Sequence, residues 1–446
     1  MFNENNWIVG VKKMIDSGLL IAVFFVLFFA FLFLGVPITF SLGASGTVTL
    51  LLGGKQLTIL TKSMFAPFES YTLLAVFLFT LMGAIFEKTG MASLLVDALM
   101  PIVGRFRGGL ALTTTYASAL FGALTGSSNA TCATFSKLMG KEMVDKGYPR
   151  PWTAAMIASA AQLGQLIPPS MTCVILGVVT GTSIGTLFMV DLAIGIMTLA
   201  ILTVFILVVA KRRNLGGVAQ NYARSEVIGR VLKALPIASV PLIVMGGMYG
   251  GIFTPTEAGA IGSLISLILA LFYRKLNARR FYQIIVDSAA TTSMVMLLIA
   301  ASYVVSYIMS FTGITQWLVQ FLVNLSSSGV YVGLLFLIVL LLIMGCFIDL
   351  IVLCILLAPT AVTALQPLGL NPYHINAIFL IANLVGLITP PVGVSLFIST
   401  YTLEEKIERV SKEIIPFVIL YIIITLIVCF FPDAIFWLPR LLGIKI

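Results

Sequence analysis

The sequence predicts an all-α polytopic membrane protein made of two inverted-topology repeats, each with a re-entrant hairpin and a helix broken at Pro-Pro. Three observations lead to this prediction: an apolar composition, a duplicated order of motifs, and an uneven distribution of basic residues. Of the 446 residues, 60% are hydrophobic and 10% are charged, and the mean hydropathy is +1.11. A soluble domain carries about 25% charged residues. At about 20 apolar residues per span, the chain has room for about ten crossings plus re-entrant segments.

The formal net charge of +9 does not indicate a nucleic-acid partner. The basic residues form short clusters between apolar runs, as cytoplasmic loops do, and not a basic stripe interleaved with aromatic residues. The five cysteines lie in apolar surroundings without C-x-x-C spacing, which excludes a disulfide framework and a thiolate metal site. They are Cys132, Cys173, Cys346, Cys354 and Cys429.

Four sequence features recur in the same order at offsets of 218 to 223 residues. In the first half they are the proline of GVPITF, the glycine of TGMASLLVDAL, the glycine of ALTGSSNAT and the Pro-Pro of LGQLIPPS. The corresponding motifs of the second half are, in the same order, FTPTEA, TGITQWLVQFL, LIMGCFIDL and VGLITPPVG. In numbers, Pro37, Gly90, Gly126 and Pro168 pair with Pro255, Gly313, Gly345 and Pro390. The chain is therefore predicted to be a duplicated unit of about 220 residues.

The distribution of basic residues predicts the orientation of each unit. The segments around Gly126 carry Lys88, Arg105, Arg107, Lys137, Lys141, Lys146 and Arg150. The matching stretches of the second unit carry none, and no Lys or Arg occurs from Phe281 through Glu405. Because basic loops stay in the cytoplasm, equivalent segments of the two units face opposite sides of the membrane.

These patterns give expected boundaries. We expect an N-terminal extension at 1–18, a first repeat at 19–210 with its hairpin at about 108–147, a basic cytoplasmic linker at 211–235, and a second repeat at 236–446 with its hairpin at about 331–366. The first repeat should hold spans at 19–34, 38–54 and 71–87, an amphipathic surface segment at 91–104, a broken span at 151–187 and a last span at 189–210. Five crossings are an odd number, so the second repeat begins on the opposite side and both termini face outward.

The two Pro-Pro pairs predict helix breaks inside the membrane. Proline lacks the N–H that bonds the carbonyl four residues earlier. The pairs should therefore free the carbonyls of Gly164 and Gln165 in the first unit and of Gly386 and Leu387 in the second. Together with the hydroxyls of Ser170, Thr172, Thr389 and Ser395, these oxygens suit a small cation. A kink that only shapes helix packing is the alternative.

The two predicted hairpin tips are polar in different ways. In the first, Thr125–Thr131 places five side chains with ligand oxygens in seven residues between apolar runs. Small polar residues also serve as plain helix-packing contacts. In the second, Asp349 is an acid within an apolar stretch, which is a functional-site hypothesis by default. A helix N-cap or an interfacial position are the alternatives for Asp349.

These segments contain no Arg, Lys or His in their interior. An anionic substrate would then be attracted by bound cations and by helix N-termini, which favours cation-coupled symport over an anion channel with a ring of basic residues. The only histidine, His374, is predicted to lie on the outer surface. Glu257 in TPTE is interpreted as a helix cap, with a proton carrier as the alternative. The Phe-rich first span should face lipid, or alternatively the helices of a partner.

The motifs resemble one family over nearly the whole chain, the large membrane subunit (DctM) of the tripartite ATP-independent periplasmic (TRAP) transporters. The resemblance is carried by FLGVPITFSLG, FESYTLLAVFLFTLMG, VGRFRGGLA, TGSSNATCATFSK, KGYPRPWTAAMIASAAQLGQLIPPS, GGIFTPTEAGA, GCFIDLIVLCILLAP and NLVGLITPPVGVSLF. The sequence departs from the family pattern at two positions. Phe77 stands where Pro is usual, so a straighter third span is expected, and Asn129 stands where a small apolar residue is usual.

The resemblance implies an elevator-type carrier, in which hairpins and broken helices move against a scaffold that includes 19–54 and 236–273. It also implies delivery of substrate by a periplasmic binding protein, a Na⁺ gradient as driving force, with H⁺ as an alternative, and a separate small membrane subunit of four spans. The candidate cation ligands are Gly126, Ser127, Ser128, Thr131, Gly164, Gly345, Asp349, Gly386 and Thr389. The candidate substrate contacts are Asn129, Ser170, Pro168, Pro169, Pro390, Pro391 and Ser395.

The predicted function is therefore Na⁺-coupled symport of an organic acid, such as a C4-dicarboxylate or sialic acid, across the bacterial inner membrane. A carrier of the same superfamily that works without a binding protein is the near alternative. A membrane-embedded hydrolase using Ser127 or Ser128 is a remote one, because it would need a nearby His or Lys base. A passive scaffold leaves the polar tips unexplained. We expect no enzymatic activity.

Overall fold

The computed structural model describes residues 17–215, 222–326 and 329–444. Regular structure in these ranges is helical, without β-strands. Nearly all of the predicted N-terminal extension, and residues 216–221 of the predicted linker, lie outside the described residues.

The first half of the chain contains eleven α-helices within the described ranges. They are α1 (Ser17–Phe33), α2 (Ile38–Leu52), α3 (Leu57–Phe65), α4 (Leu74–Thr89), α5 (Ala92–Val103), α6 (Gly109–Thr125), α7 (Ser128–Asp145), α8 (Arg150–Ala161), α9 (Leu163–Leu166), α10 (Met171–Thr180) and α11 (Ile184–Arg212). Two short 3₁₀ helices, Ala66–Glu69 and Tyr71–Leu73, connect α3 to α4.

The second half continues with ten α-helices in the part that the structure describes. They are α12 (Arg224–Tyr249), α13 (Pro255–Phe272), α14 (Ala278–Thr312), α15 (Ile314–Ser326), α16 (Val330–Gly345), α17 (Leu350–Leu365), α18 (Pro372–Ile388), α19 (Val394–Thr402), α20 (Ile407–Phe430) and α21 (Asp433–Leu441). A 3₁₀ turn, Gln366–Leu368, follows α17.

Helix length and apolar composition make this a multi-pass membrane protein. Among the described residues, seven helices are long and apolar enough to cross a membrane, and an eighth results if the pair Arg150–Leu166 and Met171–Thr180, bent by 49°, counts as one span. Further apolar helices are shorter, including α1 and α2, which were predicted as full spans. The chain turns between them at Gly35, with φ +81°, and α2 begins directly after Pro37 and ends before Gly53.

The helices pack in two groups that fit together. In the first group, α13 packs along α4 and α12, and α14 packs against α2, α3 and α4. In the second group, α6, α7 and α8 contact one another, and α16 and α17 contact α18. Contacts of α4 with α6 and of α14 with α17 join the groups. The first group contains the segments predicted as scaffold, and the second contains the predicted hairpins; relative movement of the two stays a prediction.

The two halves differ in one element that proline explains. The 35-residue helix α14 is continuous, whereas its counterpart in the first half is divided into α3, the 3₁₀ segments and α4. Pro67 occupies the second position of the first 3₁₀ turn, where no N–H is available to continue a helix, and Ser70 is extended. After this break, α4 runs through Phe77 without interruption.

Two local predictions have opposite outcomes. The capping role of Glu257 is confirmed: its carboxylate accepts from the Thr254 backbone N–H at 2.8 Å, and the Thr254 hydroxyl accepts from the Glu257 N–H at 3.3 Å. The prediction that His374 lies on the surface is wrong. Its side chain is 1% exposed, and its Nε2 lies 2.8 Å from the carbonyl of Val428 in α20. The ring is buried because α18 packs against α20.

The cysteines are buried, and the first helix has one buried and one exposed apolar face. All five cysteines are free and buried. In α1, Phe24 and Phe28 are buried, while Phe25, Phe29 and Phe33 are exposed on its other face. The helix therefore both packs inward and presents an apolar surface to the membrane.

Candidate functional site

The first hairpin turns within two residues, at Gly126 and Ser127. Helix α6 ends because Gly126 adopts a left-handed conformation with φ +61°, which a glycine tolerates without strain. Ser127 then caps α7 by accepting from the Ala130 N–H at 3.3 Å. The Thr131 hydroxyl donates to the Ser127 carbonyl at 2.8 Å, so the tip is held by its own side chains.

The tip of this hairpin packs against the first broken helix, backbone on backbone. A Cβ placed on Gly122 would lie 2.1 Å from the Cα of Gly164, and one on Gly126 would lie 2.9 Å from the carbonyl oxygen of Pro169. Side chains are excluded at both positions. The Pro168-Pro169 break is thus held directly beside the polar tip.

The second hairpin repeats the arrangement. Helix α16 ends at Gly345, and Asp349 caps α17 by accepting from the Ile351 N–H at 2.9 Å. A Cβ on Gly386, in the second broken helix, would lie 2.5 Å from the carbonyl carbon of Gly345. Asn383 is also at this contact, with its carbonyl oxygen and its Oδ1 each 3.4 Å from a Cβ placed on Gly345.

Each hairpin also contacts the broken helix of the other half. Ser395, just after the second break, donates its hydroxyl to Oδ1 of Asn129 at 2.9 Å. The Cys132 thiol, one turn further along α7, donates to the Ser395 carbonyl at 3.2 Å. On the other side, α10 packs along α17. The structure therefore brings the first tip together with both Pro-Pro regions.

Several buried oxygen atoms at these contacts lack a hydrogen-bond partner among the described residues. They are Oγ of Ser128, Oγ of Ser170, Oε1 of Gln165 and Oδ1 of Asn383. Gln165 is fixed through its other amide atom, since Nε2 donates to Thr172 Oγ1 at 2.9 Å. Buried polar atoms are nearly always paired, so this concentration of free oxygens indicates a site for a polar ligand. Hydroxyl and carbonyl oxygens are ligands suited to hard cations.

These residues do not form a metal site rich in carboxylates or thiolates. In the part of the chain that the structure describes, no three His, Cys, Asp or Glu side chains come together to hold a metal ion. A cation here would be bound mainly by backbone, hydroxyl and amide oxygens, with Asp349 as the nearby acid of the second tip. Asp349 is at the same time an N-cap, the alternative that the sequence left open.

The prediction of a free carbonyl at Gly386 is wrong. Its oxygen accepts from the backbone N–H of Thr389 at 3.1 Å, because the chain tightens into a short turn before Pro390. The Thr389 hydroxyl also points back into its helix, donating to the Val385 carbonyl at 2.6 Å. Gly386 also makes the close contact with Gly345, and its role as a cation ligand stays a prediction.

A cleft of about 270 Å³ separates the first tip from the other group of helices. Thr125, Ser127 and Met171 line one wall, and residues of α4 and α14 line the other. Lys88 and Asp287 form an ion pair across the second wall at 3.0 Å. Sequence analysis placed Lys88 among the basic residues that flank the first hairpin, but its ion pair with Asp287 of the other half is a contact that no local pattern could show.

Sequence analysis also missed Asp191. This acid lies inside the apolar helix α11 and is 2% exposed, and it accepts a hydrogen bond from the thiol of Cys173 at the start of α10. The sequence pattern that pointed to Asp349, an acid within an apolar run, is also present at Asp191. It was overlooked because no glycine or proline break adjoins it in sequence.

The geometry describes an all-helical, multi-pass membrane protein in which two hairpins each pack on a broken helix. The chain belongs to the family described as Tripartite ATP-independent periplasmic transporter, DctM component, which matches residues 25–434. The family is one of transport permeases and not of enzymes, so the hydrolase alternative is wrong. The resemblance found in the motifs is thereby confirmed.

Individual relatives agree with this assignment. The chain is 34% identical to the C4-dicarboxylate TRAP transporter large permease protein DctM of Pseudomonas aeruginosa, over 91% of this chain and 95% of that one. It is 32% identical to the isethionate TRAP transporter permease protein DctMQ of Oleidesulfovibrio alaskensis, over 92% of this chain and 65% of that protein's length. The YdaH transporter of Alcanivorax borkumensis has a similar fold, with a TM-score of 0.63 over 84% of this chain and 89% of that one, at 15% identity.

Proposed function

We propose that this chain is the transport subunit of a Na⁺-coupled symporter for an organic acid in the bacterial inner membrane, supplied by a periplasmic binding protein. The observation that carries the proposal is the pairing of each hairpin tip with a broken helix around unpartnered buried oxygens, Ser128 and Ser170 in the first half and Asn383 in the second. Such discontinuous helices near mid-membrane are typical of substrate and ion sites in secondary transporters.

The choice of an anionic substrate rests on relatives and on the site. Two relatives are named for a C4-dicarboxylate and for isethionate, which share a small size and an acidic group. Around the tips, Asn129 and Ser395 offer polar contacts to such a group, and bound Na⁺ would supply the positive charge. Pro168, Pro169, Pro390 and Pro391 shape the backbone on both sides, and H⁺ is the alternative coupling ion.

The partners follow from the same comparison. The isethionate relative is named DctMQ, and this chain spans 65% of it. The remaining length of that relative is enough for a small membrane subunit of four spans, which is the partner that we propose for this chain. The exposed phenylalanines of α1 offer an apolar face within the bilayer.

The test is uptake into proteoliposomes that contain this chain and its small subunit. Labelled succinate, sialic acid and isethionate serve as probes, each with and without the binding protein and with Na⁺ replaced by K⁺. We expect accumulation of one probe that requires both the binding protein and an inward Na⁺ gradient. Accumulation that is unchanged without the binding protein supports the stand-alone carrier, and accumulation that is unchanged in K⁺ refutes Na⁺ coupling.

A further inference from the structure

Asp191 is a buried carboxyl that the proposed cation sites do not use. It lies seven residues into α11, about 10 Å along the helix axis from its start. Its hydrogen-bond partner is the thiol of Cys173. Tyr249, at the end of α12, lies within electrostatic range of the carboxyl, and its hydroxyl is buried without a partner among the described residues. Gly185, at the start of the same helix as Asp191, lies close to Met248, which places this end of α12 beside α11.

The neighbours of Asp191 are neutral or can only become negative. The titratable groups that face it are Cys173 on α10, Tyr249 on α12 and Cys354 on α17. No Lys, Arg or His of the described chain forms an ion pair with it. An unpaired carboxylate in a membrane interior costs several kcal/mol, and a bound proton removes that cost.

The Asp191 carboxyl is linked to the first Pro-Pro break by one turn of helix. Ser170 is the N-cap of α10, and Cys173 is the third residue of that helix. The Ser170 hydroxyl is one of the unpartnered oxygens of the proposed cation site, while the Cys173 thiol is bonded to Asp191. A cation at the break would therefore favour the ionised carboxylate of Asp191 over its neutral, protonated form, because opposite charges attract strongly in a medium of low dielectric constant.

We propose that Asp191 is a proton-binding site whose occupancy is coupled to cation binding at the first Pro-Pro break. A bound cation favours loss of the proton, and by reciprocity a proton on Asp191 weakens cation binding. The inference rests on the proposed function for the cation site, but the proton site itself can be observed without transport.

The first measurement is infrared difference spectroscopy of the purified full chain, titrated with Na⁺ at fixed pH. A carboxylic-acid carbonyl band should be present without Na⁺, should decrease on its addition, and should be missing in Asp191→Asn. Asp97→Asn, which removes an exposed acid of α5, is the matched control and should leave the band unchanged. A band that is absent from the wild-type protein, or that persists in Asp191→Asn, overturns the proposal.

The second measurement is Na⁺-driven uptake in the proteoliposomes described above, as a function of pH. In the wild type, the half-saturating Na⁺ concentration should rise about fivefold to tenfold from about pH 8 to about pH 6. In Asp191→Asn this pH dependence should disappear, whereas Cys173→Ala, which keeps the carboxyl, should retain it. An unchanged pH dependence in Asp191→Asn refutes the coupling.

The two measurements separate this inference from the proposed function. If uptake needs no Na⁺, the Na⁺ proposal fails, and the proton site is then tested by uptake driven by a pH gradient. That uptake should be lost in Asp191→Asn and kept in Asp97→Asn. Retention in Asp191→Asn overturns the proton site.

Discussion

The contact between Gly345 and Gly386 gives a sharp prediction, because it joins the second hairpin to its broken helix without side chains. In Gly386→Ala, the added methyl would lie 2.5 Å from the carbonyl carbon, 2.6 Å from the Cα and 2.8 Å from the oxygen of Gly345. Carbon atoms pack without repulsion at about 3.5 Å or more, so the two segments must separate by about 1 Å. All three contacts are with backbone atoms, so no rotamer change can relieve the clash.

The expected cost follows from two opposing terms. Overpacking a tight contact costs about 1–3 kcal/mol. Replacing a helical glycine by alanine recovers at most about 1 kcal/mol of helix propensity. Gly43→Ala in α2, where nothing lies within 4 Å of the new methyl, should show only the second effect. Because both variants gain the same helix propensity, they should differ by the overpacking cost alone, about 1–3 kcal/mol, with Gly386→Ala the less stable.

Thermal unfolding of the purified chain, followed by tryptophan fluorescence, checks this difference. Gly386→Ala should unfold several degrees below Gly43→Ala. Gly345→Ala should fall between them, because its methyl would meet Gly386 and Asn383 only at 3.3–3.4 Å. Equal midpoints for Gly386→Ala and Gly43→Ala would show that the hairpin and the broken helix do not pack backbone to backbone.

Three further predictions concern the site and its orientation. Ser128→Ala removes a buried hydroxyl without a partner, so it should leave stability unchanged or raise it by up to about 1 kcal/mol, while the half-saturating Na⁺ concentration for uptake rises about tenfold. Asp349→Asn keeps the N-cap of α17 but removes the charge, so the free energy of unfolding should stay within about 0.5 kcal/mol of wild type. The half-saturating Na⁺ concentration for uptake should rise about tenfold or more, and an unchanged value would remove Asp349 from the site. Cysteines introduced at Lys141 and at Gln366, at equivalent ends of the two hairpins, should react with impermeant thiol reagents from opposite sides of the membrane. The background should be low because the native cysteines are buried. Reaction of both from the same side would refute the inverted repeat.

The sequence predicted the parts of this protein that local backbone chemistry determines. Glycine at 126, with its left-handed φ, ends α6 as the ALTGSSNAT motif indicated. The Thr254 capping box was readable from four consecutive residues, and the Pro-Pro pairs interrupt helices because proline has no N–H to donate. Each of these features needs only neighbours within one helical turn, so a single sequence contains the information.

The errors concern contacts between distant segments. His374 follows Asn371-Pro372, a local pattern that indicates a surface loop, but its ring is buried against a carbonyl 54 residues further along the chain. Lys88, at the end of α4, lines the cleft beside the first tip, and its ion-pair partner Asp287 belongs to the other half of the chain. The Gly386 oxygen is the exception, because it is paired locally, with the N–H of Thr389 in the turn before Pro390.

The exchange of contacts between the two halves constrains how the site can work. Ser395 follows the second break, yet its hydroxyl and carbonyl bond to Asn129 and Cys132 of the first hairpin. The helix after the first break packs in turn along the second hairpin. Neither hairpin can therefore move far without carrying the broken helix of the other half. An alternating-access motion in which the two hairpins opened independently would break these contacts in every cycle, whereas movement of both hairpins and both broken helices as one body preserves them. The shared contacts favour the predicted elevator over a pair of local gates. In such an elevator the sliding surface would lie between the two helix groups, at the Lys88–Asp287 cleft.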